Sequence, residues 1–304
     1  VLNIKLEYEL EQRVIDIGNV KLGGQPGENP PAMIGTVFYA NHAALLDEKT
    51  AKIDKKLVEQ ELNEFIEIIE DTEMQGIIDI VGSYPEALTK ECEYVSEIVD
   101  VPFLVDGLND DIRIPAMEGL KEIGLLNRAI LNSIDETTSD ENLKKLKEIG
   151  VKNAVLLTFG SRYIFPQQKL EFLEKELIPK AQKADIDNYI IDTAVLDLPS
   201  IGINVETIRL IKENLGLPAG FAPANAIYGW KYVKKYGDIA RCGAIAAQMA
   251  YCINAGSDFV LYGPIKFAKC VIPAISLITG INTYYRKRIL RKKISEKTPL
   301  NKIF

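Results

Sequence analysis

Between residues 33 and 285, a short and almost purely apolar run gives way eight times to a longer segment with apolar residues at helical spacing. No other feature restricts the fold as strongly. Apolar runs without alternation suit strands covered on both faces, and the amphipathic segments between them suit the covering helices. Strands are predicted at 33–39, 76–81, 102–105, 129–132, 154–159, 189–192, 219–222 and 259–262. In the first predicted helix, 54–72, Val58, Leu62, Phe65, Ile66 and Ile69 fall on one face. Pro85 suits a first helical turn, where its missing N–H is harmless, and Gly150 and Gly216 suit helix ends. Eight β–α units with no proline- or glycine-rich linker favour a closed (β/α)8 TIM barrel over an open sheet. One domain is therefore expected over 1–304: an extension at 1–32, the barrel at 33–285 and a basic tail at 286–304. Within the extension, Val14–Leu22 reads as a hairpin turning at Gly18-Asn19, placed to plug the N-terminal mouth.

Charge and cysteine usage narrow the setting. A net charge of −7 argues against nucleic acid as a partner. The four cysteines, Cys92, Cys242, Cys252 and Cys270, all fall in predicted helices without C-x-x-C spacing. That pattern predicts buried, reduced thiols, no disulfide framework and a cytoplasmic location. No secretory leader is seen at the N-terminus. The uncharged run from Cys270 to Tyr285 is shorter than a membrane span of about 20 residues and contains Pro273 and Gly280, so it reads as a barrel helix. Any membrane association is expected to be indirect.

In a TIM barrel, polar residues at the C-terminal ends of strands mark the active face. Here those ends bring His42, Asp79, Asp106, Asn132 with Ser133, Asp192, Asn225 and Tyr262. A single histidine and no strand-end cysteine argue against a transition-metal cage, although a magnesium site stays open. Carboxylates and carboxamides better suit a neutral heterocycle rich in N–H and carbonyl groups. Each Asp alone could equally be a turn former or helix cap.

The same segments carry a resemblance. Ile-Gly-Thr-Val-Phe-Tyr at 34–39, Asp-Glu-Lys at 47–49, Asp-Ile-Val-Gly-Ser-Tyr-Pro-Glu-Ala at 79–87 and Pro-Phe-Leu-Val-Asp at 102–106 resemble the MtrH family of tetrahydromethanopterin S-methyltransferase. So do Leu-Asn-Ser-Ile at 131–134, Ile-Asp-Thr-Ala-Val at 191–195, Leu-Tyr-Gly-Pro at 261–264 and Gly-Gly-Gln-Pro-Gly-Glu at 23–28. More distantly the chain resembles methyltetrahydrofolate:corrinoid methyltransferases and dihydropteroate synthases, which share a pterin-binding barrel. The resemblance implies methyl transfer between N5 of a tetrahydropterin, tetrahydromethanopterin or tetrahydrofolate, and the cobalt of a corrinoid. It implies pterin contacts from Asp106, Asn132 with Ser133, and Asp192, with Asp79 as an additional polar contact. Asn225 matches the residue that contacts N5, and with Asp192 it is the expected catalytic pair. His42 and Tyr262 are secondary candidates.

The match has departures. Phe159-Gly160-Ser161-Arg162-Tyr163 stands where an Asn-Pro pair is expected, which points towards a paralogue. No corrinoid-binding Asp-x-His-x-x-Gly motif occurs, so the corrinoid is expected on a separate corrinoid protein. A homodimer is implied by resemblance alone. The competing readings are another pterin-barrel enzyme, such as a pteroate synthase, and a non-catalytic scaffold.

Overall fold

The computed structural model describes residues 6–227 and 229–303, apart from the side chain of Asn225. The chain opens with an antiparallel hairpin, β1 (Val14–Ile17) and β2 (Val20–Gly23), joined by Gly18 and Asn19. Gly18 has φ +57°, the conformation that a two-residue hairpin turn requires of its first residue. The first barrel strand, β3 (Ala32–Val37), is followed by a small ribbon, β4 (Leu45–Asp47) with β5 (Lys52–Ile53). Then α1 (Lys55–Thr72) begins, its first turn capped by Asp54. Strand and helix alternate from there. The units are β6 (Gln75–Gly82) with α2 (Pro85–Ile98), β7 (Phe103–Gly107) with α3 (Asp110–Glu122), and β8 (Ala129–Ile134) with α4 (Asp140–Ile149). Next come β9 (Asn153–Leu157) with α5 (Pro166–Phe172) and α6 (Ile178–Lys183), then β10 (Asn188–Asp192) with α7 (Ile201–Asn214). β11 (Ala219–Phe221) leads to the short α8 (Ala224–Ile227) and to α9 (Lys231–Ile253), which is broken by a kink at Gly237 (φ +65°); β12 (Phe259–Pro264) leads to α10 (Ala268–Tyr285).

The eight strands from β3 and β6 to β12 pair in parallel and in chain order, and β12 closes onto β3. The fold is the closed (β/α)8 barrel that the alternation predicts, with the hairpin at its N-terminal end. Two cores fill it. The larger lies between strands and helices. The smaller lies inside the barrel, where Ile34, Ile77, Leu104, Ile130, Val155, Ile190 and Phe259 face one another above Ile15, Ile17, Val20 and Leu22 of the hairpin. The hairpin is therefore a hydrophobic plug in the N-terminal mouth.

The tail packs beside this plug. Buried Arg286 donates to the Lys293 carbonyl (2.9 Å) and reaches Glu28 (3.5 Å), and the Ser295 N–H donates to the Glu28 carbonyl (2.8 Å). The Gly23–Glu28 segment is a turn at this lower end, closed by the Gln25 N–H donating to the Glu28 carboxylate (2.9 Å). α10 buries Val271, Ile272, Ile275 and Thr279 against the barrel, as a barrel helix should.

One expectation fails. Cys242 and Cys270 form a disulfide between α9 and α10, with Cα atoms 5.9 Å apart. The separation of 28 residues carries no spacing signal, because the packing of two helices brings the thiols together. Cys92 and Cys252 are buried free thiols, as expected.

Candidate active site

Side chains two apart along a strand share a face. The layer above the inner apolar one is therefore fixed by adding two to each number: Thr36, Asp79, Asp106, Asn132, Leu157, Asp192 and Leu261. All seven line a cavity of about 760 Å³ at the C-terminal ends of the strands, a volume typical of small-molecule sites. Four of them, Asp79, Asp106, Asn132 and Asp192, are the strand-end residues singled out from the sequence. Ser133 lines the cavity as well.

Neighbouring strands set the contacts on this floor. Thr36 and Asp79 are paired in register, and the Thr36 hydroxyl donates to Asp79 Oδ2 (2.9 Å). Asp79 Oδ1 is buried with no hydrogen-bond partner among the described residues. Asp106 pairs in register with Asn132, and Leu157 with Asp192. At Asp192 the Ala194 N–H donates to Oδ1 (2.7 Å), with Ala194 in the left-handed region at φ +54°.

Burial dominates the electrostatics. It pushes Asp79 well above the usual carboxylate range, helped by the nearby charge of Asp106 and opposed by Thr36 and the Asn132 side chain. Burial raises Asp106 to about 7, with Arg113 pulling it down and Asp192 pushing it up. Asp192 rises to about 6, held back by the Ala194 N–H and by Lys169. A carboxyl group whose affinity for its proton is raised by burial can either accept or donate a hydrogen bond, which is what an amide- and amidine-edged heterocycle asks of a floor.

Two of the secondary candidates fall elsewhere. His42 is buried in the connection after β3, where Nδ1 accepts from the Phe38 N–H (3.2 Å) and Nε2 pairs with Glu61 (3.0 Å). It does not line the cavity. Tyr262 follows the inward-facing Leu261, so alternation turns it outward, and it packs fully buried against Gly35. A Cβ on Gly35 would lie 2.4 Å from the Tyr262 hydroxyl, so the glycine is what makes room for the ring. Asn225 sits in α8 directly after β11, at the cavity end of the strand; its side chain lies outside the described residues.

Residues away from the strand ends also line or back the cavity. Arg113 on α3 is buried; it pairs with Asp110 (2.8 Å) and Asp135 (3.5 Å) and donates to the Ser133 hydroxyl (3.4 Å). A cation in the first turn of a helix opposes the helix dipole, and that oddity was the available signal. Lys169 on α5 is buried behind Asp192, and burial lowers it to about 8 while Asp192 raises it. It stands on the same helix stripe as Leu173 and Leu177, where an apolar residue would be expected. In the departing segment after β9, Phe159 lines the cavity, Arg162 pairs with Glu136 (2.7 Å), and Tyr163 stacks on Phe172 at 4.0 Å.

Solved structures with similar folds include 7,8-dihydropteroate synthase from Vibrio fischeri ES114 (TM-score 0.63, 15% identity, 88% of this chain and 97% of that one). The dihydropteroate synthase of Yersinia pestis is another (TM-score 0.64, 10% identity, 89% and 98%). At such identities the likeness concerns the fold. Sequence relatives are nearer. The H subunit of tetrahydromethanopterin S-methyltransferase from Methanothermobacter thermautotrophicus is 32% identical over 285 residues, 89% of this chain and 91% of the relative. Its counterpart of the same name from Methanosarcina acetivorans is 32% identical over 288 residues, 90% and 91%. The H subunit of a putative mtx methyltransferase from Methanosarcina barkeri is 30% identical over 286 residues, 89% and 91%. Residues 10–293 match the family described as tetrahydromethanopterin S-methyltransferase MtrH subunit, and the chain belongs to that family of methyltransferases.

Proposed function

We propose that the barrel binds a methylated tetrahydropterin on its carboxylate floor and presents the N5 methyl to a corrinoid carried by another protein. The observation that carries this reading is the convergence of Asp79, Asp106, Asn132 and Asp192 in one open cavity. Ionised carboxylates accept paired hydrogen bonds from the N–H edge of the pyrimidine ring, and Asn132 donates and accepts beside them. The corrinoid, when its carrier docks, supplies the cobalt that exchanges the methyl group. The chain's own task is to hold the pterin with its methyl facing the open mouth, and to favour proton gain at N5. Asn225 cannot supply that proton. From the end of β11 it is assigned to orient a protonated N5 or a delivering water, and the carboxylates favour the positive charge.

Tetrahydromethanopterin is the substrate in the names of the relatives and is the first pterin to test here, with tetrahydrofolate second. Asp192→Ala and Asn132→Ala are expected to weaken methyltetrahydropterin binding at least tenfold, about 1.4 kcal/mol, with the barrel still folded. Titrations with unchanged affinity in both variants would remove the assignment. Asn225→Ala is expected to slow single-turnover transfer to reduced cobalamin more than it weakens binding. A pteroate-synthase activity is disfavoured, because a condensing reaction needs a free cation for an anionic leaving group. Arg113, the cation that lines the cavity, is occupied by Asp110 and Asp135. We place the protein as a homodimer, with the outer faces of α9 and α10 as the contact.

A further inference from the structure

We propose that Lys169 is a positioning residue for Asp192, fixing the direction of its carboxylate through the turn that follows it; this rests on the pterin-binding reading of Asp192. The turn after β10 is held from several sides. Lys169 Nζ donates to the carbonyls of Thr193 and Ala194 (2.9 Å to the latter). Asn204 on α7 donates to the same Thr193 carbonyl (2.8 Å) and to the Thr193 hydroxyl (2.9 Å). The Thr193 hydroxyl donates to the Gly220 carbonyl on β11 (3.0 Å). Bound in this way, Ala194 adopts a left-handed conformation unfavourable for a residue with a Cβ, and its N–H turns back onto Asp192 Oδ1. Asp192 Oδ2 has no hydrogen bond with the described residues, and Asp192 lines the cavity.

Bracing alone does not account for a lysine. Asn204 shows that a neutral amide can hold a carbonyl of this turn, and burying an ammonium carries a desolvation cost that an amide avoids. What the lysine adds is a positive charge behind a carboxylate that must be ionised to accept N–H groups. The other charged groups around Asp192 do not do this. Asp106 on β7 and Asp79 on β6 are acidic, and Arg113 on α3 is paired with Asp110 and Asp135. The flanking strands β9 and β11 have no titratable side chain, and α7 contributes the uncharged Asn204.

The test is the pH dependence of methyltetrahydromethanopterin binding to the full chain. Lys169→Gln keeps a hydrogen-bond donor and loses the charge, Lys169→Arg keeps the charge, and Lys169→Met loses both. Lys169→Gln is expected to retain a cooperative melt, to bind about tenfold more weakly at neutral pH, and to shift the acid limb of binding upward by about one pH unit. Lys169→Arg is expected to leave that limb in place. Lys169→Met is expected to match the shift of Lys169→Gln; if it does not fold, the Gln and Arg variants decide. An unmoved acid limb in Lys169→Gln overturns the proposal even if the melting temperature drops, since the lysine would then only brace the turn. Asp192→Asn separates the two levels. Unchanged affinity in that variant removes the pterin reading of Asp192, whereas lost affinity there with an unmoved limb in Lys169→Gln removes only the role of the lysine.

Discussion

Burial raises Asp79, Asp106 and Asp192 together, so the cavity floor keeps protons to higher pH than the unfolded chain does. The sign follows from linkage. A carboxyl near 3.9 in the unfolded chain and near 7 in the fold, as at Asp106, stabilises the fold fully at low pH; that contribution is lost as pH rises through the interval. The melting temperature of the ligand-free protein is therefore expected to fall between about pH 4 and pH 7, against the trend for most proteins. Asp106→Asn, neutral at every pH, should flatten that slope and raise stability at pH 7; a slope unchanged in this variant would place the proton elsewhere. At this scale the sequence was legible where period two operates. Asp79, Asp106, Asn132 and Asp192 stand two residues beyond apolar positions on their own strands, so the face they share follows from counting. Arg113 and Lys169 reach the site from helices, whose rotation about the barrel no strand pattern states. Tyr262 stands one residue of alternation away from the inward face, and His42 is held in the connection after β3 by its hydrogen bonds with the Phe38 N–H and Glu61.

Elements were legible in proportion to their length and periodicity. Strands with continuous apolar runs and helices such as α1 and α4 fall within a residue or two of expectation. The ribbon of β4 and β5 did not announce itself, having only three and two residues in its strands. The helix after β9 runs without a break from α5 into α6, through a wider turn at Leu173–Leu177. Pro179 follows that turn and has no N–H for the preceding ladder, which the wider turn accommodates. The hairpin calls for a separate test, because its role was inferred from position alone. Leu22 is fully buried in the plug beneath the barrel interior. Leu22→Ala should cost about 2–5 kcal/mol in stability, measured by denaturant titration, and leave pterin affinity unchanged below the unfolding transition. A cost within a few tenths of a kcal/mol would show that the plug is not part of the cooperative core.

At the scale of the whole molecule, the site opens at one end of the barrel, and two uncharged helix stretches lie on its wall. From Cys242 to Ile253 on α9, and from Cys270 to Tyr285 on α10, no residue is charged. Tyr251, Leu277, Ile281 and Tyr284 on these helices are exposed, and the Cys242–Cys270 disulfide fastens the two helices to each other. A chain with a net charge of −7 has charge available for such a face, and soluble monomers rarely leave contiguous apolar surface uncovered. Helices of a TIM barrel flank its wall, so a second copy packed here by a twofold axis leaves both C-terminal mouths open for a corrinoid protein. That geometry is why the dimer is assigned to α9 and α10 and not to the βα loops. Leu277→Asp combined with Ile281→Asp is expected to convert a dimer into a monomer in sedimentation equilibrium while each chain still binds pterin. Retention of the dimer in that double variant would move the contact to another face, and a monomeric parent protein would remove the dimer itself. Loss of pterin binding along with the dimer would show that the wall and the mouth are coupled, which the separation of α10 from the carboxylate floor argues against.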